Sequence, residues 1–300
     1  MRREKIKAWD GLPVAAASIG NLIWGFSNAF TQVALTAAGP FVVLSVRFIL
    51  AILVMNLFLL TGRESVNLHK PQLKYLIGLG FVELLYFYCE SYGIVYTNVT
   101  CSGVVLAVSP VVAMVMAAVV LKEIPTYRQA LFSLVAVAGV IMITVTERMA
   151  GEIQLKGIFL LLGGCFFSAS FRIINRKICQ IYTAFERTYI VLLVSATSFC
   201  IMGLLGEGGN IGSFIEPVGN VRFLVSVAVL GICSSVGANL LVNYAAGHLS
   251  VVQIAVFGSI STICSMTGGI LFLHEPVNFL SIIGVVLILV GIWQVNRYNS

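Results

Sequence analysis

YGIVYTNVTCSGVVLAVSPVVAMVMAAVVLKE, residues 92–123, and YAAGHLSVVQIAVFGSISTICSMTGGILFLHE, residues 244–275, align without a gap at a shift of 152 positions (244 − 92). Tyr92 meets Tyr244, Val99 meets Val251, Ser109 meets Ser261, Met114 meets Met266, Leu121 meets Leu273 and Glu123 meets Glu275. Beyond the quoted stretch, Gly139 meets Gly291. Apolar runs align readily with one another, but polar marks shared at one offset do not, so the two stretches read as an internal repeat. Each copy carries an apolar run long enough to cross a bilayer, for which about 20 residues are needed.

The rest of the chain has the same character. Of 300 residues, 59% are hydrophobic and 10% charged, and the mean hydropathy is +1.01. A soluble domain carries about 25% charged residues, so this composition excludes a soluble protein. Cutting at charged residues, Pro and Gly predicts ten spans, at 14–36, 40–61, 75–95, 99–121, 127–146, 157–176, 184–206, 223–246, 250–273 and 277–296. Five spans fall in residues 1–150 and five in 151–300, so the second half must enter the membrane upside down relative to the first. The expected fold is an all-α membrane protein of ten transmembrane helices in two inverted five-helix repeats. Inverted halves that exchange packings around a midplane site are the architecture of secondary transport.

Basic residues orient the chain. With the N-terminus inside, the inner segments hold Arg2, Arg3, Lys5, Lys7, Arg63, Lys70, Lys74, Lys122, Arg128, Arg172, Arg176, Lys177, Arg187 and Arg297. The outer segments hold Arg148, Lys156 and Arg222, and Arg47 lies within the second span. This asymmetry predicts a multi-pass protein of the cytoplasmic membrane with both termini in the cytoplasm. The net charge of +6 then reports topology, not nucleic-acid binding. The apolar run after MRREKIKAWDG is longer than a signal-peptide core and reads as a retained first span. Seven scattered cysteines read as small buried residues, with neither disulfides nor metal expected.

Phe81–Gly93 reads FVELLYFYCESYG and places two acids in the third span. An ionised side chain at the bilayer centre costs roughly 2.5–3.5 kcal/mol on insertion scales. Glu83 and Glu90 are seven apart and share a helical face, with Tyr86 close to it. Glu90 lies at a depth similar to that of Arg47. A buried ion pair between them is the plain reading, and a ligand or gate contact the sharper one. Glu83 lies about 3 Å from the midplane at ~1.5 Å per residue and has no base at its depth. It is the candidate to serve a proton or a cationic substrate, against the alternative of a protonated acid bonded to a neighbouring helix. Asn239 and Asn243, four apart, share a face of the eighth span and are cavity candidates; interhelical hydrogen bonding is the competing role. Gln253, Ser259, Ser261, Ser109 and Pro110 are weaker candidates. Arg172 is expected to snorkel to the inner surface, and His274 and Glu275 to cap a span.

WGFSNAF at Trp24, PFVVLSVRFILA at Pro40, SGVVLAVSPVVAMVMAAVVLKE at Ser102 and SVVQIAVFGSISTICSMTGGILFLHEP at Ser250 follow one another in an order that resembles the drug/metabolite transporter superfamily, specifically its EamA-type ten-span members. CESYGIVYT at Cys89 resembles a subset of these proteins, with Glu90 as the acid. The resemblance covers nearly the whole chain, although span 7 lacks a counterpart of Arg47 and span 6 lacks the WG. It implies a central cavity lined by spans 1, 3, 4, 6, 8 and 9, and transport of amino acids or other metabolites, often outward. It places Asn28 in the cavity, with Trp24 either there or in packing. The expected partners are a small-molecule substrate and the lipid bilayer; a proton and a second copy of the chain stand open. No cofactor and no nucleic acid are expected. No HExxH, GxSxG or GxxxxGK[ST] motif occurs in the chain, which argues against a membrane enzyme and against an ATPase of its own. A non-transporting receptor or scaffold remains the other alternative class.

Overall fold

A computed structural model of the chain describes residues 11–120, 126–149, 153–206, 212–249, 251–274 and 279–297. Among the described residues the chain forms ten helical spans. They are α1 (Gly11–Leu35), α2 (Pro40–Leu60), α3 (Leu73–Tyr96), α4 (Val99–Leu106 and Ser109–Val120), α5 (Tyr127–Met149), α6 (Leu155–Ile178), α7 (Ala184–Gly206), α8 (Val221–His248), α9 (Val251–Leu273) and α10 (Phe279–Arg297). Four of them, α2, α6, α7 over Ala184–Leu205, and α8, are long and apolar enough across the described residues to cross a membrane. Large apolar side chains such as Leu57, Leu134, Phe159, Leu205, Phe272 and Trp293 are exposed around the outside, where hydrocarbon takes the place of water.

The helix ends follow local chemistry. Pro40 opens α2, where its missing N–H costs nothing. The Asn98 side chain accepts from the Cys101 amide to start α4, and Asn220 accepts from the Arg222 amide to start α8. Thr183 and Glu186 form a reciprocal capping box at α7: the Glu186 amide donates to Thr183 Oγ1 at 3.1 Å, and the Thr183 amide donates to Glu186 Oε2 at 2.8 Å. The sequence reading ran span 4 without interruption. The helix breaks instead at Ala107–Val108, because Pro110 has no N–H to give the carbonyl of Leu106.

Packing partners come in sets. Three pairs join corresponding helices of the two halves: α2 with α7, α4 with α9, and α5 with α10. Further contacts come in exchanged couples: α1 with α8 and α6 with α3, α1 with α9 and α6 with α4, α2 with α8 and α7 with α3. Some of these contacts need glycine. A Cβ on Gly25 of α1 would lie 2.5 Å from the Ser261 carbonyl oxygen of α9, and one on Gly139 of α5 would lie 2.6 Å from that of Gly284 in α10. The cysteines were expected to be buried, but only Cys89, Cys101 and Cys165 are, and Cys233 is exposed.

Candidate functional site

A cavity of about 200 Å³ lies between the halves. Its walls come from α1, α3, α4, α6, α8 and α9, with Arg47 added from α2. Eight cavity candidates named from the sequence line it: Trp24, Asn28, Glu83, Tyr86, Glu90, Asn239, Asn243 and Ser261. Ser109 is buried behind the wall, where its hydroxyl accepts from Arg172. The side chains of Gln253, Ser259 and Pro110 lie outside the described residues, as do Glu123 and Glu275.

The two glutamates differ in what they touch. Glu90 accepts a 2.6 Å hydrogen bond from the Tyr86 hydroxyl one turn earlier. Glu83 is 7% exposed and has no hydrogen-bond or ion-pair partner among the described residues, yet its side chain faces the cavity. Arg47 lines the same cavity but makes no ion pair with Glu83, so the direct partner of a charge there is a proton or a group carried in by a ligand.

The expected ion pair between Arg47 and Glu90 does not form. Among the described residues the ion pair is Lys70–Glu186, at 2.7 Å and at the N-terminal end of α7. Arg47, 1% exposed, donates instead to Ser235 Oγ at 2.8 Å and Ser234 Oγ at 3.1 Å, and its guanidinium sits 4.4 Å from the Phe87 ring centre. Similar depth in the bilayer brought Arg47 and Glu90 together in the sequence reading. Rotation about the helix axes separates them, with Arg47 aimed at α8 and Glu90 held by its own turn.

Arg172 also departs from its expected role. It does not snorkel; it donates to Ser109 Oγ at 2.6 Å and Ser168 Oγ at 3.0 Å and lines the cavity. Sequence reasoning also passed over Asn21, Asn175 and Arg187. A signal existed: Ser168, Arg172 and Asn175 recur at i, i+4 and i+7, one polar stripe on an otherwise apolar helix.

Arg187, 2% exposed, organises the cavity end nearest the start of α1. It donates to Asn175 Oδ1 at 2.6 Å and to the Asn243 carbonyl at 2.8 Å. Asn175 donates to Asn243 Oδ1 at 3.0 Å, and Asn243 donates to Thr188 Oγ1 at 2.9 Å. Asn243 therefore reaches the cavity wall with both ends of its amide committed to protein. At this same end Arg176 is exposed and Ala246 partly so, whereas Arg47, Glu90 and Gly103 at the far end are buried. Among the described residues, the more exposed part of the lining is thus the part toward the start of α1. In the buried part Asn28 donates to Ser265 Oγ at 3.0 Å, and that hydroxyl donates to the Val99 carbonyl at 3.2 Å. One serine thus ties α1, α9 and α4 together.

A protein of known crystal structure shares this fold at a TM-score of 0.64, with 15% identity over 95% of this chain and 99% of that one. An uncharacterized transporter of Bacillus subtilis (strain 168), YcxC, is 30% identical over 281 residues, covering 92% of this chain and 90% of its own. An uncharacterized transporter of Archaeoglobus fulgidus is 21% identical over 274 residues, covering 91% and 95%. The model of the EamA-like transporter family matches twice, at residues 12–145 and 155–297. With ten helices, a cavity between the halves and matches along nearly its whole length, the chain belongs to the EamA-like transporter family and is a multi-pass membrane protein.

Proposed function

We propose that the chain is a secondary transporter that carries small polar metabolites, amino acids among them, across the cytoplasmic membrane by alternating access, with export as its direction and Glu83 as a proton-linked carboxylate. The observation that carries this reading is Glu83 itself, a buried acid without a hydrogen-bond or ion-pair partner among the described residues that faces the cavity between the halves. Arg172 stands in the same cavity with hydroxyl partners only, so a ligand bearing both a cationic and an anionic group finds a counter-charge for each. The exchanged packing couples support rocking of one half against the other, since the contacts of each half have counterparts in the other. Export and the inner position of the termini follow from the family resemblance and from the distribution of lysine and arginine.

The test is uptake of a mixed panel of amino acids and other metabolites into proteoliposomes, read by mass spectrometry with and without a pH gradient. Accumulation that requires the gradient is expected. Uptake that only equilibrates would remove proton coupling from the reading and leave Glu83 a substrate contact. Absence of flux for every compound would count against transport of these metabolites.

A further inference from the structure

The middle of α8 is not an α-helix. Val229–Ala238 runs as ten residues of π-helix, continuous with α-helix on both sides. Such wide turns are rare, mostly a single turn long, and frequent at functional sites. Something must hold ten residues in the less favourable register. The side chain in place to do so is Arg47 of α2.

Three contacts converge there. Arg47 donates to the hydroxyls of two consecutive residues, Ser234 and Ser235, both fully buried. Consecutive side chains of an α-helix diverge by about 100°, from 3.6 residues per turn, and a wider turn narrows that angle so that both hydroxyls can meet one guanidinium. The backbones are pressed together at the same level: a Cβ on Gly231 would lie 2.9 Å from the Arg47 carbonyl oxygen and 3.1 Å from Leu50 Cβ. At the end of the π segment the Asn239 amide bonds to the Val236 carbonyl, three residues back, and not to Ser235, four back. The Asn239 side chain, not its backbone amide, is what meets the Ser235 carbonyl, donating Nδ2 at 3.0 Å. This fixes the Asn239 amide plane. Its Oδ1 is left without a protein partner on a side chain that lines the cavity.

We propose that Arg47 is a positioning residue: by gripping Ser234 and Ser235 it keeps the middle of α8 in wide turns, and that register aims Asn239 Oδ1 into the cavity as a hydrogen-bond acceptor for the ligand. Its functional half rests on the transport reading above; its structural half does not.

The two halves are tested separately. Amide hydrogen exchange across residues 229–243 is measured on the purified protein for wild type, Arg47→Lys and Ser234→Ala/Ser235→Ala. Exchange in that segment is expected to rise about tenfold in the double alanine variant, as for a loss of local stability of ~1.4 kcal/mol. Arg47→Lys is expected to fall between it and wild type, and residues 127–149 of α5 are expected to be unchanged. Unchanged exchange in 229–243, or an equal rise in α5, overturns the grip. With a substrate found by the uptake panel, Ser235→Ala is expected to raise KM about tenfold with the maximal rate within about twofold. Asn239→Ala should do the same, and the pair together no more than either alone. A fall in maximal rate at constant KM, or additive effects, overturns the aiming of Asn239. If no compound is transported, the transport reading fails while the exchange result still decides whether Arg47 sets the register.

Discussion

Replacing Glu83 by Gln separates what this side chain does for the fold from what it does for transport. Glu83 has no protein partner among the described residues, so Glu83→Gln breaks no bond and strands no donor. The expected change in stability is below ~1 kcal/mol, the range for substitutions that touch no partner. Glu90→Gln is the internal contrast: it weakens a 2.6 Å hydrogen bond from Tyr86, and a bond to a charged group contributes roughly 1.5–3 kcal/mol. Transport should rank the two the other way. A pH gradient of one unit stores about 1.4 kcal/mol per proton, which supports at most roughly tenfold accumulation of a substrate moved with or against one proton. Wild-type proteoliposomes with the membrane potential clamped should approach that ratio, and Glu83→Gln should fall to equilibration, with its melting temperature unchanged. Gradient-driven accumulation near tenfold in Glu83→Gln would refute the assignment of the coupling carboxylate. A melting temperature far below that of Glu90→Gln would show that Glu83 has a structural partner after all.

Three other perturbations act on the frame. Glu186 accepts from Lys70, the Asn67 amide and the Thr183 amide, so Glu186→Ala should cost about 3 kcal/mol locally and speed amide exchange of residues 63–72 roughly a hundredfold; a change of less than about threefold would show that the loop is held elsewhere. Gly25→Val pushes a Cβ against the Ser261 carbonyl, a backbone group, and should cost at least the ~1–3 kcal/mol of ordinary overpacking, seen as a lost monodisperse peak on size exclusion. A wild-type elution profile would mean that α1 and α9 can separate freely. Arg187→Met leaves Asn175 Oδ1 and the Asn243 carbonyl without their donor, and thermal unfolding in detergent should show a loss of roughly 2–4 kcal/mol, whereas an unchanged melting curve would place the support of α8 in Thr188 alone.

The span pattern was legible because ten apolar runs between charged or Pro/Gly breaks leave little choice of secondary structure in hydrocarbon. Glu83, Glu90 and Tyr86 were legible as a face because seven residues are close to two full turns. Partners across helices were not. Depth could be counted along each span, and it put Arg47 and Glu90 at one level, but rotation about each axis depends on packing that one-dimensional spacing leaves open. Arg172 failed for a related reason. Its place near the inner end of α6 suggested snorkelling, and only the fold puts Ser109, 63 residues earlier, within reach of its guanidinium. The π segment left no mark at all in hydropathy, since VLGICSSVGA reads as one more apolar run with two serines.

Arg47 meets Ser235 across 188 residues of sequence. At a synthesis rate of about 5–20 residues per second, the ribosome needs on the order of 10–40 s to deliver that partner. For that interval α2 has to stay in the bilayer with an arginine in its middle and no hydroxyl to receive it. The remainder of the helix meets this demand: at 2.5, α2 has the highest mean hydropathy of the four clearest spans, the others standing at 1.8 to 2.0. Its surplus of valine, leucine and isoleucine thus belongs to biogenesis as much as to the finished protein, anchoring the first half of the chain until the second half is made.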